Sequence, residues 1–371
     1  MSDHPRSVLL AGGGSAGHVS PLLALADALR RRWPDVLVTA LGTETGLETR
    51  LVPARGYPLR TIPRVPMPRR PNATAVRFPA ALAAAVQAAG VAIDDTGAEV
   101  VVGFGGYVSS PAYLAARRRG LAIVVHEQNA RPGFANRLGA RLTHHVVSTF
   151  PSTQLPHATC LGMPMRREIT SLDRTARRAE AREFFGLDPV APTVLVTGGS
   201  LGAKRLNDAF QATAASFAPA GVQVLHATGA GKEFAPEVPG NGALPYRVVS
   251  YLDRMDLAYA AADLVVGRAG ANTVCELTAV GLPAIYVPLP IGNGEQRFNV
   301  ADVVAAGGGI VAADDLVTPD WVTTTVIPLA TDQERLDQMA RAAASIGARD
   351  GDDLLTDVVA AAWGERYQDN R

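Results

Sequence analysis

A short apolar run that breaks into a glycine-rich turn and then a helical pattern recurs along this chain, and it leaves few folds open. Residues 7–11 (Ser-Val-Leu-Leu-Ala) lead into Gly12-Gly13-Gly14-Ser15-Ala16-Gly17-His18 and a helix over 21–32. Residues 100–102 lead into Gly103-Phe104-Gly105-Gly106-Tyr107-Val108-Ser109 and a helix closed by Arg117-Arg118-Arg119, cations suited to the negative end of a helix. Residues 192–197 lead into Gly198-Gly199-Ser200-Leu201-Gly202-Ala203 and a helix over 206–217. Residues 264–266 lead into Gly267-Arg268-Ala269-Gly270 and a helix that stops at Gly281-Leu282-Pro283. Such units build a parallel sheet with the turns at the carboxyl ends of its strands, where ligands bind. Each turn also ends at helix amides that lack partners and favour an anion.

Residues 192–226 repeat the plan of the opening residues. The chain therefore reads as α/β with two Rossmann-like domains, 1–164 and 165–349, connected through the proline-containing segment 151–164. A last helix over 350–366 carries the apolar stripe Leu354, Leu355, Val358, Val359, Ala362 and Trp363, expected to pack back on the N-terminal domain.

Gly12, Gly14 and Gly17 satisfy G-x-G-x-x-G, the spacing of a dinucleotide site. That site needs a carboxylate at the end of the next strand, 36–41, and the first one, Glu44, comes too late. The loop is left as an anion or close-approach site. After residues 122–125, His126-Glu127-Gln128-Asn129 should put four polar side chains at the ligand edge of the sheet. In the fourth unit Glu276 either accepts hydrogen bonds from two neighbouring hydroxyls, as on a ribose, or complements the helix dipole. Glu295, Gln296 and Asn299 stand where a loop becomes a helix and suit a hydroxyl-rich group. Asp350 and Asp352 read as helix capping rather than as metal ligands.

Charge is unevenly distributed. Residues 1–164 hold seventeen Arg, no Lys and nine carboxylates, a net +8, and the remainder carries −8. This points to an anionic partner for the N-terminal half, whether nucleic acid, an anionic membrane or a phosphorylated acceptor. Residues 60–79 interleave Arg60, Arg64, Arg69, Arg70 and Arg77 with Val65, Met67, Val76 and Phe78. The pattern suits an anionic lipid surface, or a solvated loop whose apolar residues turn inward. With 47% hydrophobic and 19% charged residues the chain is globular. Cys160 and Cys275 are expected to be buried small hydrophobes in a reducing compartment. No apolar run is expected to reach the length of a membrane span, 80–93 being the nearest, and the N-terminus shows no signal-type core. The expected location is the cytoplasm.

Five motifs in order, Gly12 to His18, Gly103 to Ser109, His126 to Asn129, Gly198 to Ala203 and Arg268 to Glu276, resemble the GT-B glycosyltransferases, and within them family 28. The resemblance covers nearly the whole chain and implies two Rossmann-like domains facing each other across a cleft. It implies an inverting transfer of N-acetylglucosamine from UDP-GlcNAc to the muramoyl C4 hydroxyl of lipid I, an undecaprenyl-diphosphate-linked acceptor, giving lipid II for peptidoglycan. It also implies a peripheral place on the cytoplasmic face of the cell membrane, at its anionic inner leaflet. Cell-wall and division proteins are implied partners; nucleic acid is not, and neither a cofactor nor a metal is implied. By position, the family's substrate contacts fall on Ser15, Ala16, Gly17, Tyr107, Asn129, Arg166, Ser200, Leu252, Ala271, Asn272, Thr273, Glu276 and Gln296. His18 and Glu276 are the catalytic candidates: His18 as base or as an orienting group for the loop and acceptor phosphates, Glu276 as the ribose grip. The chain departs from the family at Ser15 (usually Thr), Met163 (often Asn), Leu201 (often Gln), Asn272 (often Leu) and Glu295 (often Gln). Another UDP-sugar transferase, a UDP-GlcNAc 2-epimerase, a nicotinamide-dependent oxidoreductase and a non-catalytic binding module are the competing readings.

Overall fold

The computed structural model describes residues 4–65, 73–199, 202–238, 240, 242–290 and 294–369. Ser200 and Leu201, with Met67, Arg69 and Arg70, lie outside them. The chain divides into two compact units, Met1–Arg166 with Arg349–Arg371, and Arg167–Ala348.

Among the described residues, unit 1 has β1 (Ser7–Ala11), β2 (Leu37–Gly42), β3 (Leu59–Thr61), β4 (Val100–Gly103), β5 (Ala122–Glu127), β6 (Val146–Ser148) and β7 (Ala158–Cys160). They form one sheet in the order β3-β2-β1-β4-β5-β6-β7, and every pairing is parallel. Unit 2 has β8 (Thr193–Thr197), β9 (Gln223–Ala227), β10 (Tyr246–Val249), β11 (Leu264–Gly267), β12 (Ala284–Tyr286) and β13 (Gly309–Val311). Their order is β10-β9-β8-β11-β12-β13, again all parallel. β1, β4 and β8 are buried at every position, as strands covered on both faces must be, which explains their unbroken apolar runs. In each unit the strand order reverses beside the first strand, between β1 and β4 and between β8 and β11. That reversal brings two glycine loops side by side at the carboxyl edge.

Several expectations are corrected. Segment 151–164 is not a free connection: residues 158–160 pair with β6 as the edge strand β7. Too short for a legible alternation, β7 is exposed along part of its length, and it leaves Cys160 exposed rather than buried. β5 runs two residues further than expected, to Glu127, so His126, Glu127 and Gln128 are buried (0%, 2% and 1% exposed) instead of lining an open edge. The apolar run expected over 80–93 is part of a longer helix, Ala73–Thr96. Its Val76–Thr96 stretch, mean hydropathy 1.6, is long and apolar enough to cross a membrane. Ala85, Val86, Ala89, Ala92 and Ile93 nevertheless recur at helical spacing and belong to the unit 1 core with β1 and β4 residues, so one stripe of the helix is already buried in protein.

The C-terminal helix, Gly351–Asp369, packs on the Ala16–Arg32 helix and on β4 and β5. Leu355, Val359 and Ala362 are fully or almost fully buried with Leu10, Leu29 and Val124. Arg31 reaches Asp352 at 2.9 Å and Asp353 at 2.6 Å, and Trp363 donates to Glu99 at 3.0 Å. Of the two aspartates that read as caps, Asp352 therefore pairs with a cation of unit 1. Leu355→Ala should cost about 2–5 kcal/mol in urea unfolding, whereas Val91→Ala, on the exposed face of the Ala73–Thr96 helix (52% exposed), should cost no more than about 0.5 kcal/mol.

Candidate functional site

In unit 1 the loop after β1 is tied to the neighbouring strand by Gly12 N–H donating to the Leu41 carbonyl at 3.1 Å. Ser15 takes extended dihedrals before the helix begins at Ala16. Its carbonyl accepts the His18 and Val19 N–H groups, and its Oγ lies 3.1 Å from His18 Nδ1. The loop after β4 comes up against His18. Gly105, at φ +88°, lies so close that an added Cβ would stand 3.3 Å from His18 Nε2; only glycine fits both the backbone and the space. Half-buried His18 is held below its ordinary pKa by burial, against the Gly13 carbonyl and the Glu48 charge, which raise it. It is therefore a neutral imidazole at pH 7, the form that takes a proton. Tyr107 opens the Gly106–Arg118 helix and stacks under the guanidinium of Arg64, 4.8 Å from its ring centre. Ala16 and Gly17 follow in the first helical turn.

The end of β5 is a closed network. The Glu127 carboxylate accepts from Asn129 N at 2.9 Å, Gly133 N at 2.9 Å and Asn136 Nδ2 at 3.0 Å. Burial pushes its pKa up against those bonds. Tyr113 donates to Asn136 at 2.9 Å. His126 Nε2 pairs with the Gly162 carbonyl at 3.1 Å, and its Nδ1 with Gln128 Nε2 at 3.0 Å. One nitrogen donating and one accepting is the neutral tautomer. Gln128 Oε1 is buried with no partner among the described residues, an acceptor open to a donor from water or ligand. Of the four polar residues in the run, only Asn129 is part-exposed. Arg166, half-buried, closes unit 1.

In unit 2 the loop after β8 has those after β11 and β9 as neighbours. A Cβ on Gly267 would stand 2.8 Å from the Thr197 carbonyl oxygen, and one on Gly202 would stand 2.0 Å from that of Thr228. The Ala271–Ala279 helix starts directly after Gly270, so Ala271, Asn272 and Thr273 form its first turn. Glu276, half-buried one turn on, accepts from Tyr259 O–H at 2.8 Å, a partner that sequence reading missed. Gln296 Oε1 accepts from Ala269 N at 3.2 Å and Leu289 N at 2.9 Å. Its carbonyl thus ties two strand-end loops together, and its amide N–H groups are the part available to a ligand. Leu252 is buried just after β10.

Sequence reading also missed Glu48. It is fully buried under the first glycine loop, and its signal is the spacing of Gly42 and Gly46 before it.

Two parallel, doubly wound units with paired glycine loops at their carboxyl edges define the GT-B fold. The glycosyltransferase family 28 N-terminal domain matches residues 8–148, and its C-terminal domain matches residues 193–355. The chain is 58% identical to a UDP-N-acetylglucosamine–N-acetylmuramyl-(pentapeptide) pyrophosphoryl-undecaprenol N-acetylglucosamine transferase of Nocardioides sp., covering 95% of this chain and 97% of that one. It belongs to glycosyltransferase family 28. The crystal structure of Acinetobacter baumannii MurG is similar at 29% identity and a TM-score of 0.76, over 96% of this chain and 99% of that one. A UDP-GlcNAc 2-epimerase from Neisseria meningitidis, bound to UDP-GlcNAc, is 12% identical with a TM-score of 0.64, over 95% of this chain and 99% of that one; it shares the fold alone.

The neutral tautomer of His126 makes a prediction. Its pKa is lowered from 6.5 to about 4 by burial, against the Gly162 hydrogen bond. The unfolded chain therefore binds the proton first, and stability present above pH 6.5 is lost as pH falls towards 4, by on the order of 3 kcal/mol from this group. Urea midpoints measured from pH 7 to 4 should fall, and His126→Gln should flatten that fall.

Proposed function

We infer that this chain transfers N-acetylglucosamine from UDP-GlcNAc to the muramoyl C4 hydroxyl of a polyprenyl-diphosphate-linked muramyl-pentapeptide, the step that yields lipid II. The carrying observation is the 58% identity, over 95% of the chain, to a protein named for that transfer. The epimerase likeness, at 12% identity, supports no more than a common scaffold.

The residue roles follow from the chemistry. His18, neutral at pH 7, takes the proton from the C4 hydroxyl as its oxygen attacks the anomeric carbon. The bond from that carbon to the UDP oxygen breaks through an oxocarbenium-like state, and the electron pair leaves with the diphosphate. In unit 2, the first-turn amides of Ala271, Asn272 and Thr273 meet the growing charge on the diphosphate, as helix N-termini do. Arg166 and Ser200 are further donor contacts on the family's pattern. Glu276, aimed by Tyr259, takes the ribose hydroxyls, the amide N–H groups of Gln296 bond sugar oxygens, and Leu252 lies against the nucleotide. Ser15, Ala16, Gly17 and Asn129 are further donor contacts on the family's pattern, Asn129 for sugar hydroxyls, and with Tyr107 they lie near His18 or along the carboxyl edge of the unit 1 sheet. These residues supply a base, an anion site and hydroxyl ligands, so no step requires a cofactor.

An anionic membrane surface is the proposed setting, as an acceptor with a lipid anchor requires. Residues 1–164 carry +8, Arg60, Arg64 and Arg77 are exposed, and Val76 beside Arg77 is 83% exposed. Charge attraction and apolar insertion together suit a peripheral protein. Sedimentation with vesicles containing anionic lipid should carry the protein down at low salt and release it at high salt. Equal binding to purely zwitterionic vesicles would argue against this setting.

The deciding experiment incubates the protein with UDP-GlcNAc and a short-chain lipid I analogue, with EDTA present, and follows UDP release and disaccharide formation. Product that depends on the acceptor is expected; UDP-GlcNAc binding without product would redirect the reading to another acceptor or to epimerisation. In the same assay His18→Asn should lower kcat by about 10²–10⁴-fold with donor affinity unchanged. Glu276→Gln should instead weaken donor binding.

A further inference from the structure

The carboxylate of Glu48 is the densest unassigned feature next to the site. It is fully buried at the start of the Glu48–Ala54 helix. Oε2 accepts from Gly14 N at 2.8 Å, and Oε1 accepts from both Thr43 N and Thr43 Oγ1 at 2.8 Å. Three glycines make room for it. A Cβ on Gly13 would stand 2.4 Å from Oε1, one on Gly42 2.4 Å from Cγ, and one on Gly46 2.0 Å from Oε2. The loop after β1 and the loop after β2 are thus both shaped around one side chain. Burial pushes the carboxyl pKa up, but the Gly14, Thr43 and Glu48 N–H groups and the Thr43 hydroxyl more than offset it, and the net shift is downward. The group is therefore a buried anion at neutral pH. Its charge reaches His18 four residues beyond Gly14, and the other charged or titratable groups at the small cavity beside this loop are Arg64 and Tyr107.

We propose that Glu48 is a positioning residue for sugar transfer: its carboxylate fixes the Gly12–Gly17 loop in the shape that presents His18 and holds a fixed negative charge within the same loop. The inference rests on the transferase reading, with His18 as base. It also redefines the loop. The Gly14 amide, expected to be open to an external anion, is already occupied by an internal one.

Three variants separate the two contributions. Glu48→Gln keeps the size but loses the charge, and its NH2 cannot accept where Oε1 or Oε2 did, so one donor is left unsatisfied. Glu48→Asp keeps the charge but falls short of one loop. Thr43→Val removes one donor and tests the network if Glu48→Gln fails to fold. Glu44→Gln, an exposed carboxylate on the same turn, is the control. Two readouts are used: kcat and its pH profile with the lipid I analogue, and the NMR titration of the His18 imidazole in the full chain without substrate.

Glu48→Gln should lower kcat by on the order of 10–100-fold, as a displaced catalytic group does, with donor affinity unchanged. Because the lost charge favoured the imidazolium, the acid limb of the profile and the His18 titration should both move to lower pH. Glu48→Asp should restore the titration while kcat stays depressed, and Thr43→Val should show a smaller loss of kcat. A folded Glu48→Gln protein with unchanged kcat and an unchanged His18 titration would overturn the proposal, as would losses confined to thermal stability. Should the wild type transfer no sugar, the transferase reading fails, while the imidazole titration still decides whether Glu48 governs His18.

Discussion

Parallel strand pairing is the constraint on which the rest depends. With β1 to β7 and β8 to β13 each running one way, every strand must hand over to its crossover at the same edge, so the loops collect there. Reversal of strand order beside β1 and beside β8 then brings two of those loops into contact in each unit. The contact is tight enough to dictate residue type. A Cβ on Gly12 would stand 3.1 Å from Phe104 Cβ, and one on Gly267 would stand 2.8 Å from Thr197 O. The glycines are therefore partly a packing requirement of neighbouring loops, independent of any ligand.

The two edges of these sheets treat buried charge differently. At the amino edge of unit 2, Asp263 accepts from Thr193 N at 2.8 Å and pairs with both Arg178 and Arg182, while Arg174 donates to the carbonyls of Tyr259, Ala262 and Gly281. Asp263 is matched there by opposite charge and Arg174 by neutral carbonyls, and the result is a structural clamp. At the carboxyl edge of unit 1, the hydrogen-bond partners of Glu48 and Glu127 are neutral N–H and O–H donors. Glu48, held below the ordinary carboxylate range by these bonds, keeps its charge and projects a field onto its surroundings, whereas burial pushes the Glu127 carboxyl up. Around Glu48 this suits the carboxyl edge of unit 1 to chemistry, while the Asp263 cluster suits the amino edge of unit 2 to stability.

This difference also decides what could be read from the sequence. Alternation of apolar runs, glycine turns and helical stripes is a local property, and it specified the sheet class and the glycine loops. β7 escaped because three residues at a sheet edge carry no period to detect. The end of β5 was misjudged because His126 and Glu127 are polar yet buried, made tolerable by Gly162, Gly133 and Asn136, partners up to thirty-six residues away. Glu48 was missed for the same reason: its partner Gly14 lies thirty-four residues earlier. Tyr259, which aims Glu276, belongs to a different helix. Candidate ligand contacts can be found by motif; the groups that hold them are found only once the chain is folded.

Glu48 and Gln296 show how one loop design acquires two preferences. Each is a side-chain acceptor that collects backbone N–H groups from loops at the carboxyl edge: Glu48 takes Gly14 and Thr43, and Gln296 takes Ala269 and Leu289. The geometry is similar, but the charge is not. A carboxylate inside the loop opposes an approaching phosphate and favours a proton on a nearby imidazole, so the unit 1 loop is suited to a base that works on a hydroxyl. A neutral amide leaves the positive end of the Ala271–Ala279 helix uncancelled, so the unit 2 loop is suited to a departing diphosphate. On the proposed roles, two halves with the same strand–glycine loop–helix plan divide acid–base work and anion stabilisation between them, with Glu bracing one loop and Gln the other.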